Sequence, residues 1–499
     1  MEVSFFIITI FLFFLPLLFI FIKDNKRGHN LPPGPWKLPM IGNLHNLLNS
    51  LPHVALKELA ARYGPLMHLK LGERSTIIIS SYQILKDVMR TSNTTFAERP
   101  ELLVSKTIAY DGGDVAFAPY GDYWKQMRKI CILQLLSPSR VHSAYPLMEE
   151  EIARLVKSIK ASVPGAQINM NECLYSLTCN IICKDSVGMA CSNPNSLISA
   201  MKGFSPFTGV LNVSDLFPSL EFLDQFIIGS KQKLLKLHQQ CDRLLEEIVS
   251  EHEASIQNNN GELIDYEDLM HVLLRLRDKE SHNYQVPITR DNIKAIVLDM
   301  FVGGTETVST SMEWAMSELV KNPAVMKKVQ AEVRETLKGK KIVGHSDIQN
   351  LKYLKNIVKE TLRLHPPGPL SLPRQSIEQC VINGYVIPNK TIALVNLWAM
   401  GRDPQYWHDP EKFEPERFDL VDTKGIPIDF LAFGFGKRVC PGISFGVANF
   451  ELILARLLYH FDWKLPNCMN PEELDMTETF GAAAARKNNL HLIASPYDY

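Results

Sequence analysis

The sequence has almost no net charge and no paired cysteine pattern. Its 499 residues include 53 lysines and arginines against 54 aspartates and glutamates, so the formal charge is −1. A chain without a basic excess has no electrostatic field with which to grip nucleic acid or an acidic polymer. Its nine cysteines are odd in number and form no short disulfide scaffold. That pattern indicates a reducing compartment in which most thiols are small apolar core residues.

Nucleotide-binding motifs are also missing. No phosphate loop of the form GxxxxGK[ST] occurs. The nearest approach to GxGxxG, at Gly434 and Gly436, lacks the last glycine and the strand–turn–helix unit that should surround it. We therefore expect no nicotinamide or flavin site, so that any electrons the protein uses come from a partner. No internal repeat or low-complexity tract follows residue 36.

One segment is rich in what the rest lacks. Residues 4–22 read SFFIITIFLFFLPLLFIFI without a charge, and a helix of about 19 residues spans roughly 28 Å, close to the hydrocarbon thickness of a bilayer. Basic residues follow the run and no small-residue cleavage site appears, which favours an uncleaved anchor over a signal peptide, with the C-terminal side in the cytosol. We predict an anchor at 1–22, a basic and proline-rich spacer at 23–36, and a catalytic domain at 37–499.

Helical periodicity dominates the rest of the chain. It predicts helices at 146–161, 229–256, 291–321, 323–337 and 443–461, whereas strand-like runs are short and few, at 66–71, 76–80 and 392–396. The predicted fold class is therefore mainly α, with a minor β-sheet near the N-terminal side of the catalytic domain.

A glycine-rich segment presents a single cysteine. Residues 433–442 read FGFGKRVCPG, and Gly434 and Gly436 allow a tight turn in which backbone N–H groups approach a sulfur atom. Pro441 suits the first turn of the apolar helix that follows, so Cys440 is expected at a helix N-terminus, where the pKa of a thiol falls. Without a neighbouring cysteine or histidine, one thiolate builds no zinc site but can be the axial ligand of a haem.

This segment resembles the haem-binding signature of the cytochrome P450 superfamily, FGxGxRxCxG. Every fixed position is filled, by Phe433, Gly434, Gly436, Arg438, Cys440 and Gly442. The likeness covers almost the whole chain and implies a cytochrome P450 fold, with Cys440 on the iron of haem b. It also implies O2 and NADPH-derived electrons as co-substrates, and NADPH–cytochrome P450 reductase as partner with cytochrome b5 as a second donor. The expected location is the endoplasmic reticulum membrane, single-pass and in contact with lipid, with the catalytic domain facing the cytosol.

Two further motifs carry the resemblance. Glu360 and Arg363 match the family's ExxR, and Arg417 lies in the later sequence FEPERF. The family implies that these three lock together beneath the haem, and a buried carboxylate shared by two arginines must be fully hydrogen-bonded to avoid a large desolvation cost. The same resemblance assigns the haem propionates to pure hydrogen-bond donors. These are Trp124, Arg128, Arg374 and Arg438.

The centre of the long helix predicted at 291–321 reads GGTET, residues 303–307. Two glycines there cost about 2 kcal/mol relative to alanines. The Thr307 hydroxyl can donate to the Gly303 carbonyl and open a notch for dioxygen and water; a packing contact with a crossing helix is the alternative explanation. The resemblance makes Glu306 and Thr307 the acid–alcohol pair that delivers protons. Val308 and Ala432 depart from the residues common in the family, which leaves the fine hydrogen bonding open.

The pocket positions implied by the resemblance are apolar and uncharged. They are Ile108, Val115, Leu298, Phe301, Val302, Leu370, Leu372 and Phe480. Such a wall favours a hydrophobic substrate over an anionic one. The overall pattern most resembles plant members that oxidise sesquiterpenes and diterpenes, so a small apolar terpenoid is the predicted substrate. An indole-alkaloid oxidase of the same plant group, and a haem-thiolate isomerase or dehydratase that needs no reductase, are the alternatives.

Overall fold

This computed structural model describes residues 30–188, 212–220, 229–258, 267–278, 285–340, 343–419 and 427–497, with isolated positions between 199 and 222. The predicted anchor at 1–22 and the first part of the spacer lie outside the described residues. Among the helices that the structure does describe, none combines the length and the apolarity needed to cross a bilayer.

The described chain is mainly helical, as the sequence predicts. The helices are α1 (Pro52–Tyr63), α2 (Tyr82–Thr91), α3 (Leu103–Thr107), α4 (Asp122–Ile130), α5 (Pro138–Lys160), α6 (Met170–Val187), α7 (Val213–Leu216), α8 (Ser230–Asn258), α9 (Leu269–Asp278), α10 (Arg290–Lys321), α11 (Pro323–Thr336), α12 (His345–Ile348), α13 (Lys352–Leu364), α14 (Leu397–Met400), α15 (Ile428–Phe433) and α16 (Ile443–His460).

The strands are short and belong to small sheets. They are β1 (Leu66–Leu71), β2 (Arg74–Ile79), β3 (Gln167–Asn169), β4 (Arg374–Gln375), β5 (Cys380–Ile382), β6 (Tyr385–Ile387), β7 (Ile392–Val395), β8 (Phe461–Lys464), β9 (Glu478–Thr479), β10 (Ala485–Arg486) and β11 (His491–Pro496). One sheet has the order β1-β2-β7-β4, with β2 and β7 parallel, and another has the order β3-β11-β8.

The end of the proline-rich spacer is docked on the catalytic domain. The Pro33 carbonyl accepts the His68 N–H of β1 at 2.9 Å, and the Asn30 carbonyl accepts the Val386 N–H of β6 at 2.8 Å. A side chain at Gly34 would collide with the His68 carbonyl. The described end of this segment is therefore held by strand-like hydrogen bonds, and it fixes the direction in which the chain leaves the sheet.

Helix α10 is the centre of the helical core and packs most extensively on α6. It begins at a capping box, in which Thr289 Oγ1 accepts the Asn292 N–H at 3.2 Å and Asn292 Oδ1 accepts the Thr289 N–H at 2.9 Å. Its apolar residues belong to the largest hydrophobic cluster together with those of α6, α13 and α16. The predicted span of 291–321 is confirmed.

The other predicted spans agree with the structure, except for the start of one helix. The spans 229–256, 323–337 and 443–461 match α8, α11 and α16 to within two residues, and the three predicted strands match β1, β2 and β7 equally closely. The start predicted at Pro146 is wrong. Helix α5 begins at Pro138, where a missing N–H is harmless, and Ser137 caps it by accepting the Arg140 N–H. Pro146 therefore lies inside the helix.

A buried histidine–aspartate cluster joins α8 to α9. Asp268 caps α9 by accepting the His271 backbone N–H at 2.9 Å, and its other oxygen lies 3.0 Å from His252 Nε2. His252 Nδ1 lies 2.8 Å from the Ile248 carbonyl. Both ring nitrogens of His252 face oxygen acceptors, an arrangement that favours the doubly protonated imidazolium. Burial opposes that charge, but donating a hydrogen bond to the Asp268 carboxylate raises the pKa of His252.

The partner carboxylate shows the reciprocal effect. Burial alone would raise the pKa of Asp268, but hydrogen bonds from His252 and His271 lower it to about 2. One ligand atom from each of the three side chains lies within 4.8 Å of the others, a spacing that a metal ion could also use. The protons of the ion pair already account for this arrangement, so we treat it as a structural link between α8 and α9.

Asp268→Asn should lower the free energy of unfolding by about 3 kcal/mol near pH 6, because it leaves a buried imidazolium without a counter-charge. The contribution of the pair should decline as the pH rises through the raised pKa of His252. It should also decline as the pH falls toward about 2, where Asp268 takes up a proton. Denaturant titration of the haem-loaded protein at several pH values measures this. Asp278→Asn, in an exposed pair with Arg277, is the control and should cost under about 0.5 kcal/mol. An equal loss at every pH would contradict the ionic assignment.

Candidate functional site

The cysteine loop connects α15 to α16. Gly434 and Gly436 have φ angles of 77° and 64°, in the left-handed region where glycine is favoured. The Cys440 N–H donates to the Phe433 carbonyl at 2.9 Å, and the Gly442 N–H donates to Cys440 Sγ at 3.3 Å. Helix α16 begins only at Ile443, so the predicted placement of Pro441 in its first turn is wrong. The loop nevertheless directs a backbone N–H at the sulfur, as predicted.

The thiol of Cys440 is controlled by burial. Desolvation raises its pKa, and the Gly442 N–H and the Arg128 guanidinium offset only part of this rise. The predicted lowering of the pKa is therefore wrong for the free thiol, because loss of water outweighs the loop dipoles. A bound metal ion reverses the balance, since a coordinating thiol is deprotonated outright. This environment disfavours a free nucleophile and suits a metal ligand.

Four arginines converge on this loop, and the sequence predicted three of them. They are Arg99, Arg128, Arg374 and Arg438. Arg128 Nη2 donates to the Val439 carbonyl and Arg374 Nη2 to the Phe435 carbonyl, each at 2.6 Å. Arg438 donates to the carbonyls of residues 97 and 118 at 2.8 and 2.6 Å. Backbone acceptors thus hold each guanidinium in place without neutralising it.

These cations depress one another's proton affinity. Burial, followed by repulsion from neighbouring guanidinium groups, lowers the pKa of Arg374 to about 9. Burial likewise lowers the pKa of Arg438 to about 10, with Arg128 as a repelling neighbour. Within the described part of the chain no carboxylate lies within ion-pair distance of any of the four; Asp114 and Glu98 attract Arg99 and Arg438 only from farther away. Arg374 Nε has no hydrogen-bond partner. Buried cations are costly without an anion among them. The two propionate carboxylates of haem b supply such an anion, so the residues present fit that group.

Trp124 acts on this cluster through its ring. Its indole N–H donates to the Val115 carbonyl at 3.1 Å, and the Arg438 guanidinium lies 4.2 Å from the ring centroid. The N–H that was predicted to bind a propionate is thus directed at the backbone in this structure. A cation over an indole face is stabilised by the ring quadrupole, so Trp124 orients Arg438.

The three residues of the predicted charge cluster meet. Glu360 and Arg363 are both fully buried. Arg363 donates to the two Glu360 oxygens at 2.7 and 2.9 Å, and Arg417 Nε donates to Oε1 at 2.9 Å. The Glu414 N–H adds a bond at 2.7 Å. The carboxylate is therefore fully hydrogen-bonded, as its burial requires; its place beneath the haem stays a prediction.

The two central glycines of α10 have different roles. The Thr307 hydroxyl donates to the Gly303 carbonyl at 2.6 Å, as predicted. Nothing lies within 4 Å of a side chain built at Gly303, so this position borders open space. A side chain at Gly304 would lie 2.6 Å from Ile182 Cδ1 of α6. The predicted notch applies to Gly303, and the alternative explanation, a packing contact, applies to Gly304.

Glu306 and Val308 flank the notch on other faces of the helix. Glu306 is half-buried and adds to the effect of burial in raising the pKa of Tyr175 on α6. Val308 is buried and points at α16, where a side chain at Gly446 would meet it at 3.9 Å. The valine therefore serves packing between α10 and α16. Proton delivery by Glu306 and Thr307 stays a prediction.

The predicted pocket residues divide into two groups. Val302, Leu370 and Phe480 are half-buried and Leu372 is exposed, while Ile108 and Val115 are buried at the rim of the helical core. Leu298 and Phe301 are 2% and 1% exposed and lie inside that core. Phe301 precedes Gly303 by two residues, about 200° around the helix, so it faces away from the notch. Contact of these two side chains with the substrate stays a prediction.

Three residues near the cysteine loop and the notch belong to none of the sequence motifs. Arg99 is buried and donates through Nε to the Ala116 carbonyl at 2.9 Å. Asp114 and Asp299 meet between the 114–118 segment and α10. A signal for Asp299 exists, since it is an acid one helical turn before Gly303 in an otherwise apolar stretch. No pattern in the sequence singles out Arg99.

Comparison with known proteins gives one consistent family. The family model described as "Cytochrome P450" matches residues 32–492. Premnaspirodiene oxygenase of Hyoscyamus muticus is 46% identical over 98% of each chain, and 5-epiaristolochene 1,3-dihydroxylase of Nicotiana tabacum is 45% identical over 98% of each. Desmethyl-deoxy-podophyllotoxin synthase of Sinopodophyllum hexandrum is 47% identical over 96% of this chain and 94% of its own. A zebrafish cytochrome P450 solved with progesterone is 25% identical, with a TM-score of 0.77 over 90% of this chain and 100% of its own.

Cys440→Ser should abolish thiolate ligation, because a neutral hydroxyl does not replace a soft anionic ligand. The measurement is the reduced carbon-monoxide difference spectrum of the purified protein. Cys468→Ser, at an exposed thiol, is the matched control and should keep the wild-type spectrum. An unchanged Soret band in Cys440→Ser would remove this residue as the ligand.

Gly303→Ala and Gly304→Ala should separate the two roles of the glycine pair. Gly303→Ala should keep or slightly raise stability, since alanine favours a helix by up to about 1 kcal/mol, while the added methyl narrows the notch and lowers product formed per NADPH consumed. Gly304→Ala should destabilise by about 1–3 kcal/mol through crowding of Ile182. Thermal unfolding and coupling efficiency measure the two effects. Equal coupling in Gly303→Ala and the wild type would contradict the notch.

Proposed function

Because the chain belongs to the cytochrome P450 family, we propose that it oxidises an apolar plant terpenoid. The members of this family are monooxygenases that use haem b, O2 and NADPH-derived electrons. The best candidates are sesquiterpenes, followed by diterpenes. Support comes first from premnaspirodiene oxygenase and 5-epiaristolochene 1,3-dihydroxylase, similar plant proteins that act on sesquiterpenes. It comes second from the residues that the resemblance assigns to the pocket, which are aliphatic at Val302 and Leu372 and offer few directional contacts. Such a wall selects by shape and apolar area.

Two alternatives are tested beside the terpenoid. Relatives of nearly equal identity carry names with different products, including a podophyllotoxin-related synthase, so family membership alone does not fix the substrate. The first alternative is an indole-alkaloid oxidase of the same plant group. A reductase-independent isomerase or dehydratase is the second. It has no need of an acid–alcohol pair, whereas this chain has Glu306 beside Thr307 and oxygenases among its relatives. We therefore favour the monooxygenase reaction on a terpenoid.

Some of the site residues would hold the haem, and others would supply protons. When bound, the haem supplies the activation of dioxygen. The Cys440 sulfur would hold its iron, and the Gly442 N–H, at 3.3 Å from that sulfur, would stabilise the negative charge there. The arginine cluster would hold the propionates. Thr307 Oγ1, 2.6 Å from the Gly303 carbonyl, would hold a proton at the notch, with Glu306 next to it in the chain as the acid that replenishes it.

The partners and location follow from the same proposal. Electrons would come from NADPH–cytochrome P450 reductase, with cytochrome b5 as a second donor, and no nucleic acid takes part. We propose the endoplasmic reticulum membrane, with the catalytic domain in the cytosol. Trp36, the last residue of the spacer, is 66% exposed, and Met40 and Leu48 just after it are 64% and 77% exposed. Exposed apolar side chains clustered in one stretch of chain favour contact with lipid.

The test is turnover with a reductase and a substrate panel. Co-expression with an NADPH-dependent reductase should give oxygenated products from sesquiterpenes or diterpenes, and these products should disappear without NADPH. Spectral titration of the purified protein with sesquiterpene, diterpene and indole-alkaloid candidates should give the tightest binding for a terpene. Tightest binding of a cationic alkaloid would overturn the substrate class. Product formation without NADPH would overturn the monooxygenase assignment.

Val302→Phe should change which carbon is oxidised or stop turnover, because the phenyl ring narrows the substrate pocket. The haem content should stay at the wild-type level. The neighbouring Phe301→Leu is the control, since Phe301 faces the core. It should lower the free energy of unfolding by about 1 kcal/mol and leave the product ratio unchanged. Product analysis by mass spectrometry measures both. A changed product ratio in Phe301→Leu, with none in Val302→Phe, would reverse the assignment of the two faces.

A further inference from the structure

Two aspartates that belong to no recognised motif meet beside the notch. Asp299 lies one helical turn before Gly303, so it shares the face of α10 that carries Gly303 and Thr307. Its Oδ2 accepts the Val115 N–H at 2.7 Å and the Ala116 N–H at 3.4 Å. Asp114, 2% exposed, is hydrogen-bonded to Asp299. Two carboxyl groups form a hydrogen bond only when one of them keeps a proton.

The 114–118 segment lies between this acid pair and the arginine cluster. Its N–H groups point to the acids, since the Phe117 N–H lies 3.0 Å from Asp114 Oδ2. Its carbonyls point to cations. Ala116 accepts from Arg99 at 2.9 Å and Ala118 from Arg438 at 2.6 Å. The N–H side of the segment is therefore held by carboxyl groups, and its carbonyl side by guanidinium groups.

The charged and titratable groups that face the pair come from all neighbouring elements. Arg99 and Arg438 face Asp114, while Tyr123 on α4 and Cys131 just after it are electrostatically coupled to the pair. Burial raises the pKa of Asp299 to about 6 and, with repulsion from Asp299, raises the pKa of Asp114 well above its usual value. Each carboxylate disfavours ionisation of the other, so the pair keeps a shared proton to a higher pH than two separate carboxyl groups would.

We propose that Asp114 and Asp299 are positioning residues whose shared proton holds the 114–118 segment against α10, and so sets the position of Val115 and of the acceptors of Arg438. The singly protonated pair matches the geometry, since ionised Asp299 accepts two N–H groups while protonated Asp114 donates to it. Loss of that proton sets two carboxylates against each other and releases the segment. The pair thereby links the pocket wall to the arginines that would hold the haem. Only the substrate measurement below rests on the proposed function.

The first test uses hydrogen exchange of the 114–118 amides in the substrate-free, haem-loaded protein. Asp114→Ala and Asp299→Ala should speed exchange roughly ten-fold or more, because each lost hydrogen bond removes about one decade of protection. Asp114→Asn should behave like the wild type, since its amide N–H replaces the shared proton. Asp122→Ala, at an exposed side chain of nearby α4, is the control. Exchange in Asp114→Asn as fast as in Asp114→Ala, or unchanged exchange in Asp299→Ala, would overturn the proposal.

The second test is the pH profile of substrate binding, read as the absorption change on addition of a sesquiterpene. Wild-type binding should weaken as the pH rises through the loss of the shared proton. In Asp114→Asn this step should be absent, because an amide does not ionise. A step that persists in Asp114→Asn would overturn the proposal. If either alanine variant fails to load haem, hydrogen exchange of the 114–118 amides is compared in Asp114→Asn and Asp299→Asn instead. The proposal requires that these amides be as well protected in Asp114→Asn as in the wild type. Failure of the terpenoid assignment leaves the exchange result intact.

Discussion

The fully buried carboxylate of Glu360 is the constraint on which the frame of the site depends. Two guanidinium groups and the Glu414 N–H converge on it. The remaining donors of Arg363 are used on the carbonyls of residues 401, 410 and 412. A buried carboxylate without partners costs several kcal/mol, so the chain from 401 to 418 has little freedom to move away. Because that stretch leads into α15 and the cysteine loop, the same bonds limit where Cys440 can be presented.

The site then combines two regions of opposite charge. Buried arginines gather at the cysteine loop, where their mutual repulsion calls for an anion, and an acid pair lies beside the notch of α10. The 114–118 segment connects the two by directing its N–H groups one way and its carbonyls the other. Charges fixed in this way keep their positions without reorganising when a ligand arrives, and such preorganisation makes buried electrostatics effective. The apolar wall can remain uncharged because charge is supplied from around it.

Local sequence predicted the parts of the site whose partners are close in the chain. The Gly442–Cys440 contact, the Glu360–Arg363 pair and the Thr307–Gly303 bond all join residues at most four positions apart. Asp299 bonds the N–H of a residue 184 positions away, and no local pattern encodes such a contact. The sequence does not show which way Phe301 faces, for a related reason. Helix α10 is buried on most sides, so its apolar residues show little periodicity, and only packing decides which of them face the notch.

The glycine pair of α10 shows why this helix can be weak at its centre. Within one turn the helix must approach α6 closely at Gly304 and leave space at Gly303, and no residue with a side chain satisfies either demand well. The loss of helix propensity is tolerable because a long, buried helix derives its stability mainly from tertiary packing and a sound N-terminal cap. The Thr307 hydroxyl needs a carbonyl one turn back that is open on the notch side, and Gly303 provides it. The weak point and the candidate reactive point therefore coincide for a physical reason.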